Sequence, residues 1–190
     1  MSVSEITETR QYLTFKLGNE IFATDVAKVR EVLDLTSITA IPRTPEFMAG
    51  VINLRGSVVP VVDLRLCFDM TKTVSTRNTC IVVVEVQLDN EPVVIGALAD
   101  SVEEVIDLEP EQIESAPKIG THIRTDFIKG MGKREGLFIM ILDIDRVFSA
   151  EDLVAAARGG LELPVRGGAA EPQTAQAVAE PTKELAVEVV

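Results

Sequence analysis

The sequence contains the same pattern twice, in the same order. Ile21–Leu35 (IFATDVAKVREVLDL) aligns with Val94–Leu108 (VIGALADSVEEVIDL), so that Val29, Glu31, Val32, Asp34 and Leu35 meet Val102, Glu104, Val105, Asp107 and Leu108. Phe47–Phe68 then aligns with Phe127–Phe148, where Phe47, Gly50, Gly56, Asp63 and Phe68 meet Phe127, Gly130, Gly136, Asp143 and Phe148. Chance accounts for one such match; two in the same order indicate a duplicated unit, and both copies must then share one order of elements. Residues common to the copies are read as serving the fold. The glycine pairs suit unusual backbone geometry, the phenylalanines suit cores, and Asp63 and Asp143 suit hydrogen bonds to amides of the following turn. Residues that differ are free for recognition. Arg55 aligns with Glu135, and Asn53-Leu54 with Lys133-Arg134.

Short apolar runs between turn signals predict strands at Tyr12–Leu17, Glu20–Ala23, Val51–Leu54, Val58–Val62, Cys80–Val86, Pro92–Ala99 and Leu137–Asp143. Gly18-Asn19 predicts a hairpin turn, and Asn53–Gly56 a second turn. Asp25–Leu35 reads as a short helical turn followed by a strand. Aromatic residues are 4% of the chain and Trp is absent, so the core must be Val, Ile and Leu, which favours strands. Regular strand spacing predicts a mainly β chain built as an antiparallel barrel or sandwich. After Phe148, Ser149–Asp152 resembles a capping box. A short helix is expected over 151–160, and a disordered tail, rich in Ala, Glu, Pro and Val, over 161–190.

The formal net charge of −12 argues against nucleic-acid binding, which needs a basic footprint. The N-terminus lacks a secretory pattern, and the longest apolar run, Ile81–Val86, is interrupted by Glu85, so neither export nor membrane insertion is expected. Cys67 and Cys80 read as small buried hydrophobes. The expectation is a soluble, cytoplasmic protein. His122 sits in a loop-like stretch without a catalytic pattern around it, no metal-ligand cluster is present, and Gly130–Gly136 lacks phosphate-loop spacing. No catalytic residue, cofactor or metal site is expected. Arg55 is the candidate for recognition, because Arg is enriched among interface anchors and Leu54 beside it is expected to be exposed; Glu31 is a candidate ionic partner, and the sequence does not decide whether the two touch. A small-ligand barrel or an enzyme is the alternative from another class.

Ile41–Arg65 (IPRTPEFMAGVINLRGSVVPVVDLR) closely resembles the signature segment of the CheW family, the coupling proteins of bacterial chemotaxis. Ala23–Leu33, Ile95–Pro117 and Leu137–Phe148 are similar to the family's other segments, in the right order. The resemblance spans about 11–150 and implies two small five-stranded β-barrels, placed here at about 12–72 and 79–148. It implies a non-catalytic scaffold that bridges the regulatory domain of a CheA-type histidine kinase to the cytoplasmic hairpin tip of methyl-accepting chemoreceptors. Such a protein is recruited to membrane-associated arrays through its partners. An adaptor of another sensory system, such as surface motility, is the runner-up. The residues that match the family's functional segments are Val29, Glu31, Gly50, Asn53, Leu54, Arg55 and Gly56. Val29 is expected to make an apolar contact, and Arg55 to act as an orienting charge.

Overall fold

Several strands of this protein are apolar on both faces, and the arrangement of the sheets is the reason. The structure is a computed structural model and describes residues 8–88, 91–115, 127–134 and 136–148. In the first repeat, strands β1 (Arg10–Leu17), β2 (Glu20–Asp25), β3 (Val29–Asp34), β4 (Met48–Leu54) and β5 (Ser57–Asp63) are followed by the short helix α1 (Leu64–Cys67). In the second, β6 (Cys80–Leu88), β7 (Glu91–Ala99), β8 (Ser101–Leu108), the two-residue β9 (Ile113–Glu114), β10 (Ile128–Arg134) and β11 (Leu137–Leu142) are followed by α2 (Ile144–Val147). Over Asp25–Leu35 the expected turn followed by a strand is present, as a 3-10 turn at Val26–Lys28 that leads into β3. Strands β8, β9 and β10 are not among the strands expected from local pattern. The expected helix at 151–160, the tail at 161–190 and His122 lie outside the described residues.

The strands form two sheets, ordered β8-β1-β2-β11-β10-β9 and β3-β6-β7-β5-β4. Each curls back on itself. In the second, the chain leaving β3 returns to β4, where Thr39 and Val51 exchange two backbone hydrogen bonds of 2.9 Å. In the first, β9 follows β8 after a 3-10 turn and pairs with β10. We call these closed sheets barrel I and barrel II. Barrel I carries a sixth, two-residue strand beyond the five expected.

The barrels do not follow the division at 12–72 and 79–148. The β1–β2 hairpin of the first repeat lies in barrel I with β8–β11, and the β6–β7 hairpin of the second lies in barrel II with β3–β5. The repeats have exchanged hairpins. The exchanged strands dock side by side in parallel: β2 against β11 and β7 against β5. An alignment of the repeats shows which strands are equivalent; it does not show which copy supplies a strand's neighbour.

Three apolar clusters result. Tyr12, Ala23, Ile106, Leu108, Ile113, Ile139 and Ile141 fill barrel I, and Ile52, Val59, Val61, Ile81, Val83 and Leu98 fill barrel II. The largest lies between the barrels. Strand β6 shows why its sequence reads as an unbroken apolar run: Ile81 and Val83 point into barrel II, while Cys80, Val82, Val84 and Val86 point into the shared interface. All four phenylalanines matched by the duplication, Phe47, Phe68, Phe127 and Phe148, pack in or against this interface. A stack of rings crosses it, with centroids 6.1 Å apart for Phe15–Phe22, 5.4 Å for Phe22–Phe68 and 4.6 Å for Phe68–Phe127.

The paired aspartates are both buried, as structural residues should be. Asp63 bonds amides as expected: it accepts from Arg65 N at 3.0 Å and Thr73 N at 3.0 Å. Asp143 departs from that reading. Its side chain makes no cap hydrogen bond and instead pairs with Arg146 at 3.5 Å. Cys80 is buried and Cys67 half-buried. No helix among the described residues is long and apolar enough to cross a membrane.

Two outcomes follow from this core. Phe22→Ala removes the ring between Phe15 and Phe68 and should lower stability by about 3–5 kcal/mol, measured by urea denaturation. Burial pushes the Cys80 thiol above its ordinary pKa, which disfavours the reactive thiolate. Cys80 should therefore resist alkylation at neutral pH until the protein unfolds, as peptide mass spectrometry would show.

Candidate functional site

The β4–β5 hairpin is tighter than expected. Leu54 pairs with Ser57, so the turn consists of Arg55 and Gly56 alone, and Asn53 and Leu54 belong to the strand. Arg55 has φ 51° and Gly56 φ 89°. Positive φ at both central residues defines a type I′ turn, which matches the twist of antiparallel strands and favours Asn-Gly or Gly-Gly. Arginine in the left-handed region costs about 1–2 kcal/mol relative to Gly. The Asn53 side chain supports the turn by accepting from Gly56 N at 2.8 Å.

The arginine side chain reaches across the barrel mouth. Its Nη2 donates to Glu31 Oε2 at 2.9 Å, a pairing that the sequence leaves open. The Arg55 side chain is 80% exposed and that of Glu31 24%. An exposed pair of this kind adds about 0–1 kcal/mol, too little to justify the turn conformation on stability grounds. Its effect is orientational: a guanidinium held over the barrel end with most of its surface open.

Leu54 is not the exposed apolar residue expected. It is half-buried and packs with Leu33, Leu35 and Ile38 on the barrel II core. Strand β4 alternates, so Leu54 shares the inward face with Ile52, while Asn53 is exposed. Val29 lies half-buried at the start of β3. The β3–β6 pairing shifts register between Val29 and Glu31. Val29 packs on the cluster between the barrels, whereas Leu33 packs inside barrel II. The structure thus brings Glu31, Asn53, Leu54, Arg55 and Gly56 together at one end of barrel II and leaves Val29 and Gly50 outside that group.

Gly50 has a structural reason. It is buried at φ 141°, and a Cβ there would stand 2.2 Å from Thr39 O, against the strand that closes the barrel. At Gly56 a Cβ would meet nothing within 4 Å.

Barrel I shows how far Arg55 is particular to its barrel. Glu104, the counterpart of Glu31, lies 3.7 Å from Arg134 at the tip of the β10–β11 hairpin. The duplication pairs Arg134 with Leu54, so both barrels set an arginine against the repeated glutamate, one position apart. Reading each aligned column separately hid this pair; allowing a one-residue offset at the tip would have revealed it. The offset has a consequence. Leu54 covers the end of barrel II, while Arg134 leaves open a cleft of about 240 Å³ over Ile21, Ile106, Leu137 and Ile139. It is smaller than the roughly 300–1,000 Å³ of ordinary small-molecule sites. Equivalent apolar residues stand exposed on both barrels: Val32 at 42% and Val105 at 49%, Val58 at 52% and Phe138 at 58%.

Comparison with known proteins decides the family. The profile of the CheW-like domain matches residues 11–152. The chain belongs to the CheW-like domain family. It is 34% identical over 147 residues to the chemotaxis protein CheW of Klebsiella aerogenes, covering 77% of this chain and 86% of that protein. With the chemotaxis protein CheW of Rhizobium meliloti it shares 31% identity over 147 residues, covering 77% and 92%. Among solved structures, it is similar to the scaffolding protein TtCheW from Thermoanaerobacter tengcongensis, with a TM-score of 0.65 and 35% identity over 73% of this chain and 92% of that one. A CheW-like domain with two β subdomains is thus the architecture on which the hairpin tip is mounted.

The two glycines should separate on substitution. Gly50→Ala should destabilise the protein by about 3 kcal/mol or more, since both the backbone and the space forbid it. Gly56→Ala should cost about 1–2 kcal/mol, from the left-handed backbone alone. Chemical denaturation of the two variants checks the contrast.

Proposed function

We propose that this chain is a chemotaxis coupling scaffold that joins chemoreceptors to a CheA-type histidine kinase. Family membership carries the general reading, and the Arg55–Glu31 pair carries the site. A turn position where Gly or Asn is easier holds an arginine whose ion pair returns little stability. Such a residue is retained for what it meets. In this reading, Glu31, Asn53, Leu54, Arg55 and Gly56 form the receptor-facing end of barrel II and receive the cytoplasmic hairpin tip of a methyl-accepting chemoreceptor. The guanidinium orients an acidic or carbonyl group there, and Glu31 holds it in one pose. Val29 contributes from the junction between the barrels, and Gly50 contributes by allowing barrel II to close. The regulatory domain of the kinase meets exposed apolar residues near the hairpin tips, Val58 on barrel II and Phe138 on barrel I.

Function on this reading needs no bond chemistry. The scaffold transmits a change in the receptor only if its contacts differ between the kinase-on and kinase-off states. The protein acts in the cytoplasm and reaches the membrane through its partners.

Kinase autophosphorylation with receptor signalling domains and a CheA-type kinase from the same cell tests the reading. Arg55→Gly is the informative variant, because glycine accepts the turn geometry and the fold should be unchanged or slightly more stable. Wild type should stimulate the kinase, and folded Arg55→Gly should lose receptor co-sedimentation by roughly tenfold or more, equivalent to about 1.4 kcal/mol. Wild-type stimulation by Arg55→Gly would remove the hairpin tip from the receptor site.

A further inference from the structure

Among the described residues the chain crosses between the barrels twice. It passes from β2 of barrel I to β3 of barrel II through Val26–Lys28, and from β7 of barrel II to β8 of barrel I through Asp100. At each crossing a charged residue is held by the short helix that ends a repeat. At the first, Lys28 Nζ lies 2.8 Å from Asp145 Oδ2, and Asp145 is on α2. At the second, Asp100 Oδ2 lies 2.9 Å from Arg65 Nη1, and Arg65 is on α1.

Each carboxylate also accepts from the backbone beside the end of an exchanged hairpin. Asp145 Oδ1 takes Gln87 N of barrel II at 2.8 Å, and Asp100 Oδ2 takes Gly18 N of barrel I at 2.6 Å. Each crossing is therefore tied to both barrels at once. The duplication aligns Arg65 with Asp145, and it sets Lys28 one position from the counterpart of Asp100. The same bond thus occurs twice with its charges reversed. These groups are far less exposed than Arg55: 30% and 29% for Lys28 and Asp145, and 18% and 23% for Arg65 and Asp100. Partial burial strengthens both pairs relative to an open surface.

An apolar interface resists separation but tolerates sliding, because its attraction is non-directional. A carboxylate bridging a cation and a fixed amide is directional, since hydrogen bonds weaken steeply off axis. Two of them, one at each crossing, restrain rotation of one barrel against the other. We propose that Lys28–Asp145 and Arg65–Asp100 are paired latches that fix the angle between the barrels, and that coupling between partners bound to different barrels runs through them. These are positioning residues, none of them in the Arg55 turn or bonded to it. The coupling half of the proposal rests on the scaffold reading; the angular half does not.

The test uses the full chain with Val32→Cys and Val105→Cys spin-labelled in a Cys67→Ala background. These are equivalent outward positions on barrels II and I. Lys28→Met removes one latch cation and leaves the Asp145–Gln87 bond available. Arg65→Met removes the other cation, together with its bonds to Thr71 at 2.8 and 3.0 Å, so Lys28→Met is the cleaner variant. Electron-electron resonance should give a narrow distance distribution in the parent and a clearly broader one in Lys28→Met, and Lys28→Arg should restore the narrow one. In the kinase assay, Lys28→Met should bind receptor and kinase within about twofold of wild type while stimulation falls several-fold. An unchanged distribution overturns the latch, and a broadened one with wild-type stimulation overturns the coupling through it. If the wild-type protein itself stimulates no kinase, the scaffold reading falls, and the distance distribution still decides the angular restraint.

Discussion

The apolar interface between the barrels is the constraint on which everything else depends. It is the largest cluster among the described residues and takes side chains from β1, β2 and β11 on one side and from β5, β6 and β7 on the other. Because the β1–β2 and β6–β7 hairpins are exchanged, neither repeat can complete a barrel from its own strands. Closing one barrel requires the other repeat to be present and docked. The phenylalanine stack runs from β1 and β2 through Phe68 to Phe127, linking both repeats through one continuous set of ring contacts. Packed interiors of this kind transmit strain poorly as gradual deformation and well as rigid-body motion. A scaffold that relays a change between partners benefits from having two stiff bodies and one defined junction.

On this near-symmetric frame the departures from symmetry carry the specificity. Both barrels place a glutamate on the strand after the crossing, Glu31 and Glu104, and both answer it with an arginine from a hairpin tip. Barrel II gives the arginine to the turn and a leucine to the strand end, which closes the barrel mouth. Barrel I gives the arginine to the strand and leaves its mouth open. One residue of offset therefore makes two chemically different ends from one template. The crossings follow the same logic with reversed charges, Lys28 to Asp145 and Asp100 to Arg65. Duplication supplies equivalent positions; single substitutions within them decide what each end presents.

Much of this was legible in the chain. The strands β1, β2, β5, β6, β7 and β11 follow from apolar runs of β-branched residues, because burial on one or both faces imposes that composition wherever the strands go. The turn at Gly18-Asn19 and the turn-then-strand reading of Asp25–Leu35 were also legible; Glu31 was legible as a candidate partner for Arg55, but whether the two meet depends on the folded register. Leu54 was misread as exposed because two-residue alternation depends on where a strand ends, and the turn is two residues rather than four. The packing of Val29 between the barrels was not legible, because the register shift at Arg30 leaves no mark in the apolar pattern.

What the sequence alone determined is the unit: its order of elements, its duplication, the residues that must be small or apolar, and the arginine that the repeat does not require. These depend on local sterics and on burial, which act on each segment wherever it comes to lie. What only the tertiary structure decided is the exchange of hairpins, the three-way division of the core, the closing bridge from Thr39 to Val51 that explains Gly50, and the ion pairs at the two crossings. Each of these depends on which segments become neighbours. In a duplicated chain every strand has two equivalent partners, and only the packing of both copies together selects between them.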